Sequence, residues 1–336
     1  MLRRAANVEI FMRAAWYERT GRACDVLVVG TLPDPEPGPG EVRVRIVASG
    51  VNPSDWKARS GIRPMIGPKV VPHSDGAGFV ERVGPGVPES RLGERVWIWN
   101  GQWKRAFGTA AEFIVVPERQ AVPLPEGVGF EEGACFGIPA LTAHRAVTVD
   151  GDPEGRTVLV TGGAGAVGHY AIRISKLLGA AKVIATVSSP EKAAHASAAG
   201  ADVTIDYRNE PVVERVLAET GGLGVDRVVE VDAAGNAEIL PRIIRRDGIC
   251  AIYGSSRPEA AFAFVPMIMS GVALRFFIVY ELPDEARLRG IRDVTRWASR
   301  GSLAHTIAAR FPLDRIAEAH EAVESGRLIG NAVVNL

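Results

Sequence analysis

Two periodicities divide the chain. From residue 12 to about 136, apolar and polar positions alternate in short runs, most clearly in residues 41–50 (EVRVRIVASG), where Val42, Val44 and Ile46 fall on one face. Period two over so few residues predicts half-buried strands. GAGFVERVG, ERVWIW and AAEFIVV repeat the pattern, and turn residues such as the GPG of EPGPGE and VGPGV separate them. Closely spaced strands punctuated by Gly and Pro predict a compact, barrel-like β domain.

From about residue 140 short apolar runs alternate with helical stretches: TVLVTGG, AVGHYAIRISKLLGA, KVIATV, PEKAAHASAAG, DVTIDY, VVERVLAET, DRVVEVD, AEILPRIIRRDG, ICAIYG and VALRFFIVY. Strands buried on both faces and joined by crossover helices form a parallel, doubly wound sheet. Val167, Ala171, Ile174 and Leu178 give the first of these helices its expected apolar face. From about 301 the first texture returns and ends in GNAVVNL. The expected organisation is therefore an α/β Rossmann domain over 137–300 inserted into a β domain made of 12–136 and 301–336. Residues 1–11 read as an N-terminal extension ahead of Met12.

At roughly 150 residues per domain, 336 residues agree with two domains. The 39 basic and 39 acidic residues cancel, so no overall field draws nucleic acid or an anionic membrane, and neither is expected as a partner. Cys24, Cys135 and Cys250 are few, scattered and odd in number, which predicts packing in a reducing compartment and no disulfides. No apolar run reaches the length of about 18 residues that spans a bilayer, and MLRRAANVEIF is too short and polar for a secretory leader. The expected location is the cytoplasm.

The strongest chemical signal is Gly162, Gly165 and Gly168, spaced three apart after the apolar run TVLV and before the amphipathic helix. Such glycines let the chain turn off a strand and bring backbone N–H groups to a pyrophosphate at a helix N-terminus. An NAD site has an acid at the end of the second strand. Here that strand ends in Ser188, Ser189, Pro190, Glu191 and Lys192, two hydroxyls and a lysine suited to a 2′-phosphate, so NADPH is favoured over NADH. Ser189 before Pro190 also reads as a helix cap.

Six ordered blocks resemble the medium-chain dehydrogenase/reductase superfamily, in its zinc-free quinone oxidoreductase (zeta-crystallin-like) branch: 37–61, 73–87, 124–147, 158–180, 188–208 and the close GNAVVNL. The resemblance implies a GroES-like β-barrel domain, a Rossmann domain that binds NADP, and a homodimer formed through the Rossmann sheet edge near 272–280. Zinc-dependent members need a Cys in the first block and Gly-His-Glu in the second. Asn52 and Ser74-Asp75 stand there, and 95–113 lacks the cysteines of a structural zinc lobe, so both metals are expected to be absent. His73 reads as a polar loop or surface contact; His144 and His169 read as structural.

By similarity, Asn52 and Thr142 lie near the nicotinamide, while Gly162, Gly165, Ala166, Val167 and Gly168 meet the pyrophosphate. Ser188, Lys192 and Tyr207 surround the 2′-phosphate; Gly254, Ser255, Phe277 and Val279 flank the nicotinamide half, and Asn331 touches the cofactor from the final strand. Where relatives carry tyrosines this chain has Lys57 and Arg63. Lys57 is either a cationic donor to the reduced acceptor or a solvated lysine, and Asp55 either orients it or caps its turn. Trp56, Trp97, Trp99 and Trp103 are either a wall for the acceptor or core.

Without a Lewis acid, the expected chemistry is hydride transfer from NADPH to an acceptor already electron-poor, a quinone or another α,β-unsaturated carbonyl. The alternatives are an enoyl-thioester reductase and a non-catalytic NADPH-binding protein of lens or RNA-binding type.

Overall fold

The computed structural model describes residues 11–336. The expected extension 1–11 lies outside the described residues except for Phe11, which opens a strand. The chain forms two compact units, one ending at Ile138 and resuming over Ile307–Leu336, the other Pro139–Thr306.

In the first unit, Phe11–Trp16 pairs antiparallel with Val28–Pro33. A seven-stranded sheet is organised around Glu41–Val51. That strand is long enough to pair with Asp75–Val83 on one side while sharing its other side between Phe113–Pro117 and the C-terminal strand Asn331–Asn335. Val42, Val44 and Ile46 are buried as their alternation predicts, and they pack with Val80, Val96, Ile98, Ile114 and Val116. Arg43, on the opposite face, is also buried, which alternation does not foretell. Its guanidinium is held by Glu81 at 2.7 Å and Glu36 at 3.1 Å and lies over the Phe113 ring, so the buried charge is paired.

The second unit is a six-stranded parallel sheet. In spatial order its strands are Val203–Asp206, Lys182–Val187, Thr157–Val160, Val225–Glu230, Ile244–Ile252 and Ala273–Phe276. Counting them in sequence, the order is third, second, first, fourth, fifth, sixth. Connections leave the first strand in one direction and resume beyond it in the other, which opens a crevice at the carboxyl ends.

Three sequence expectations change here. Helix Ala166–Leu177 buries His169, Tyr170 and Ile172 as well as Ala171 and Ile174, while Val167 and Leu178 are only half-buried. It packs against helices Leu141–Thr148 and Pro190–Ala199 as well as the sheet, so one apolar stripe would not suffice. In AEILPRIIRRDG only Leu240–Ile243 is helical, because the fifth strand already begins at Ile244. Within VALRFFIVY only Ala273–Phe276 is strand, and Val279–Glu281 forms a separate turn. Ser302 and Ala304 accept hydrogen bonds from Arg173 and His169, and His305 meets the Tyr170 hydroxyl, so this segment packs on helix Ala166–Leu177.

Candidate active site

At the carboxyl end of Thr157–Val160 the chain reverses through Gly162, whose φ of +64° is left-handed. The Gly162 and Gly165 N–H groups are not offered to a ligand, because they donate to Thr186 Oγ1 (3.2 Å) and Gly162 O (3.0 Å). Gly165 contributes a bare, exposed Cα just before the helix starts. The N–H groups of Ala166, Val167 and Gly168 occupy the first helical turn, where no intrahelical acceptor exists, and they are the donors an anion would meet. Gly168 is required by packing: a Cβ there would lie 2.2 Å from Gly162 O. Gly163, outside the three-residue spacing, is equally constrained, since its Cβ would meet that of Ala185 at 2.7 Å.

The second strand ends at Ser188, which is buried, and Ser189 caps helix Pro190–Ala199 by accepting from the Lys192 N–H at 3.3 Å. Tyr207 follows the third strand and is 51% exposed, and its N–H donates to Val187 O at 3.0 Å, so Ser188 and Tyr207 occupy adjoining strand ends, with Lys192 in the first turn of the helix that follows Ser189. No acid ends the second strand; Glu191 is exposed on the helix, and Asp206 is engaged by the Arg208 N–H and Asn209. The fourth strand ends in Glu230, fully buried, whose Oε1 accepts from the Asp232 N–H and from Asn236 Nδ2. Burial raises the Glu230 carboxyl above its ordinary range. Gly254 approaches Val231 O too closely for any side chain, and the Ser255 hydroxyl closes its own turn onto Arg257 O at 2.6 Å. Phe277 is bonded to Ile252 O beside them; Val279 is buried in its turn and Thr142 on helix Leu141–Thr148.

In the first unit Asn52 ends the long strand and opens helix Pro53–Arg59. Its N–H donates to Asp55 Oδ2 at 2.7 Å, so Asp55 does cap this turn. The Asn52 amide turns away from the helix and donates to Asp75 Oδ2 at 2.8 Å. Strand register pairs Gly50 with Asp75 and Val51 with Ala332, which brings Asn52, Asp75 and Asn331 to one end of the sheet. Burial pushes the Asp55 carboxyl up to about 7 and that of Asp75 well above its ordinary range. Lys57 is half-buried, with Nζ 5.8 Å from the Trp56 ring centre. Trp97 and Trp99 are core, the first edge-on to Phe136, the second donating to Arg119 O; of the four tryptophans only Trp56 and Trp103 reach solvent.

His73 departs from its expected surface role. It is fully buried at φ +77°, bonded through Nδ1 to Ser49 Oγ (2.8 Å) and through Nε2 to His320 Nε2 (3.0 Å). Ser49 continues to Thr109 at 2.7 Å. Burial lowers His73 to about 3 and His320 well below its ordinary value, so both rings are neutral and share one proton between facing nitrogens. His144 and His169 are structural as read, held by Asp293 and Ala304 O.

Residues 38–126 match the family described as alcohol dehydrogenase GroES-like domain, and 166–294 the family described as zinc-binding dehydrogenase. A quinone oxidoreductase of Pseudomonas aeruginosa is 32% identical over 304 residues, covering 89% of this chain and 92% of that protein. The chain belongs to the medium-chain dehydrogenase/reductase superfamily. As a member it is an oxidoreductase, with a GroES-like domain and a Rossmann-type parallel sheet. Among superfamily structures, an NAD-dependent alcohol dehydrogenase superposes with a TM-score of 0.88 at 32% identity, covering 97% of this chain and all of that one. A mycobacterial protein complexed with NADPH superposes at 0.87 and 30% identity with the same coverage.

Zinc, named in one family description, does not fit this medium-chain reductase's residues. Catalytic zinc needs three N, S or O⁻ ligands. Here an amide donates to a carboxyl that burial biases towards its neutral form, and no group of three His, Cys, Asp or Glu converges among the described residues. Sequence reasoning named Asn52 and Asp75 but not their bond, and it missed Thr186, Gly163 and the Ser49–His73–His320 chain. Only a glycine pair at 162–163 hinted at any of these.

Proposed function

We propose that the protein is a zinc-independent reductase that takes NADPH and delivers hydride to a quinone or another α,β-unsaturated carbonyl. The observation that carries this reading is the 2.8 Å bond from the Asn52 amide to Asp75, which ties up in a polar pair the residues standing where zinc-dependent relatives are expected to carry metal-site residues. The NADPH-complexed mycobacterial neighbour and the quinone oxidoreductase relative support it.

In this reading Ala166, Val167 and Gly168 donate backbone N–H groups to the pyrophosphate, with Gly162 and Gly165 giving it room. Ser188, Lys192 and Tyr207 take the 2′-phosphate. Thr142, Gly254, Ser255, Phe277 and Val279 serve the nicotinamide half, and Asn331 is a further cofactor contact, from the final strand. NADPH supplies two electrons and a hydrogen to the electron-poor carbon of the acceptor. Asn52 orients the acceptor, Asp55 fixes the turn that carries it, and Lys57 Nζ or water provides the balancing proton.

Among the described residues no helix is long and apolar enough to cross a membrane. The three cysteines are free, in keeping with a reducing cytoplasmic setting. Ala273–Phe276 is a sheet edge whose Phe276 is 64% exposed, and Phe264, Ile268 and Met269 of helix Phe264–Ser270 are exposed as well, which favours a homodimer through this edge.

The test is consumption of NADPH and NADH with quinones, enones and enoyl thioesters. Turnover of quinones or enones with NADPH preferred is expected. Turnover of enoyl thioesters alone would select the first alternative, and tight NADPH binding with no turnover the second.

A further inference from the structure

Segments 53–69 and 99–110 hold six basic residues and one acid, Asp55, in a chain whose total charge is zero. Of these, Arg59 is paired with Glu324, Lys69 with Glu18, and Arg105 is bonded to Gln120. The other three gather on two indoles. Lys57 Nζ lies 5.8 Å from the Trp56 ring centre; Arg63 and Lys104 lie 5.7 and 5.9 Å from that of Trp103. Arg63 links the groups, because its guanidinium donates to Ser54 O (3.0 Å) in the first turn of the helix that Asn52 opens.

The half-buried indoles keep these charged ends close to one another at the surface, Lys104 exposed and Lys57 and Arg63 half-buried, where their like charges add in attracting an anion. Asp55, the one acid, interacts with Arg63 from beneath the turn; it is buried and its carboxyl is committed to the Asn52 N–H, so it offsets at most one of the three cations. We infer that the acceptor is itself an anion, a conjugated carbonyl or quinone bearing a carboxylate or phosphoryl group that meets Lys57, Arg63 and Lys104. This rests on the acceptor lying at the Asn52 turn, as proposed above.

The experiment compares kcat/KM for a naphthoquinone carboxylate and its neutral carboxamide, with NADPH saturating, at low and high ionic strength. A second pair, one enoyl group on coenzyme A or on N-acetylcysteamine, separates a phosphoryl source from a carboxylate. At least one anionic member should be favoured by about five- to tenfold at low salt, shrinking towards twofold at high salt. The Lys57→Gln/Lys104→Gln double variant should bring that ratio towards one whatever happens to its absolute rate. Ratios near one for both pairs in the unmodified protein overturn the inference while leaving the reductase reading intact. A preference that survives the double variant also overturns it, since the selecting charge then lies elsewhere. Absence of turnover with every acceptor, neutral ones included, defeats the reductase reading and this inference with it.

Discussion

At the carboxyl edge of the parallel sheet, the groups proposed to meet a ligand are backbone N–H groups and bare Cα atoms; around Asn52 in the first unit they are side chains locked to one another. The first region depends on close approach, shown by the 2.2 Å that would separate a Gly168 Cβ from Gly162 O. The second depends on partners, Asn52 with Asp75, Asp55 with the Asn52 backbone, and His73 with His320. A backbone site should therefore fail when atoms are added, and a side-chain site when a partner is removed.

Asp55→Asn and His320→Ala act on stability, and the largest effect on function that would break this comparison comes from Gly168→Val. It should weaken NADPH binding by a hundredfold or more, roughly 3 kcal/mol, because the Gly162 turn must shift. Calorimetric titration checks this; unchanged affinity would show that the turn is not the binding element.

Next is Asp55→Asn. Folded Asp55 keeps its proton up to about pH 7, whereas an unfolded aspartate loses it near 3.8, so the wild-type protein loses stability as pH rises between those values. The variant keeps the Asn52 cap without ionising. Urea unfolding should show it gaining on wild type across that window, by up to about 4 kcal/mol above pH 7.

His320→Ala should cost about 2–4 kcal/mol, since it leaves a void and a buried His73 nitrogen without its partner. Both imidazoles have folded values below the unfolded 6.5, so their contribution is present above that pH and is lost as pH falls towards 3. The variant should show a shallower acid-side loss in the same unfolding measurement.

The smallest effect sharpens the cofactor assignment. Lys192→Ala should weaken NADPH about tenfold and NADH less than twofold, one charge-assisted contact at the surface being worth about 1.4 kcal/mol. Equal weakening would remove Lys192 from the 2′-phosphate site.

Legibility in the sequence follows the same division. Gly162, Gly165 and Gly168 lie within seven residues, and their spacing encodes a strand-to-helix turn whose geometry is local. That a strand ends at Ser188 and a helix capped by Ser189 follows was readable because a strand end and a helix cap are local too. Gly163 was passed over because its neighbour, Ala185, comes from the next strand. His73 resembled a loop residue, and nothing near it in the chain announces a partner 247 positions away. Trp97 and Trp99 lie on and just beyond a strand whose inward face only the assembled sheet defines. Asn52 stood out as a replacement for a metal ligand, but the direction of its amide depends on Asp75, brought beside it by antiparallel register.

The proposed hydride transfer needs no metal, the Asn52 amide being bonded to Asp75 instead. Metal content and NADPH-dependent quinone reduction should be measured on one preparation before and after prolonged chelation. Full activity with less than about a tenth of an equivalent of zinc is the predicted result. Activity that falls with the zinc removed and returns when zinc is restored would contradict it.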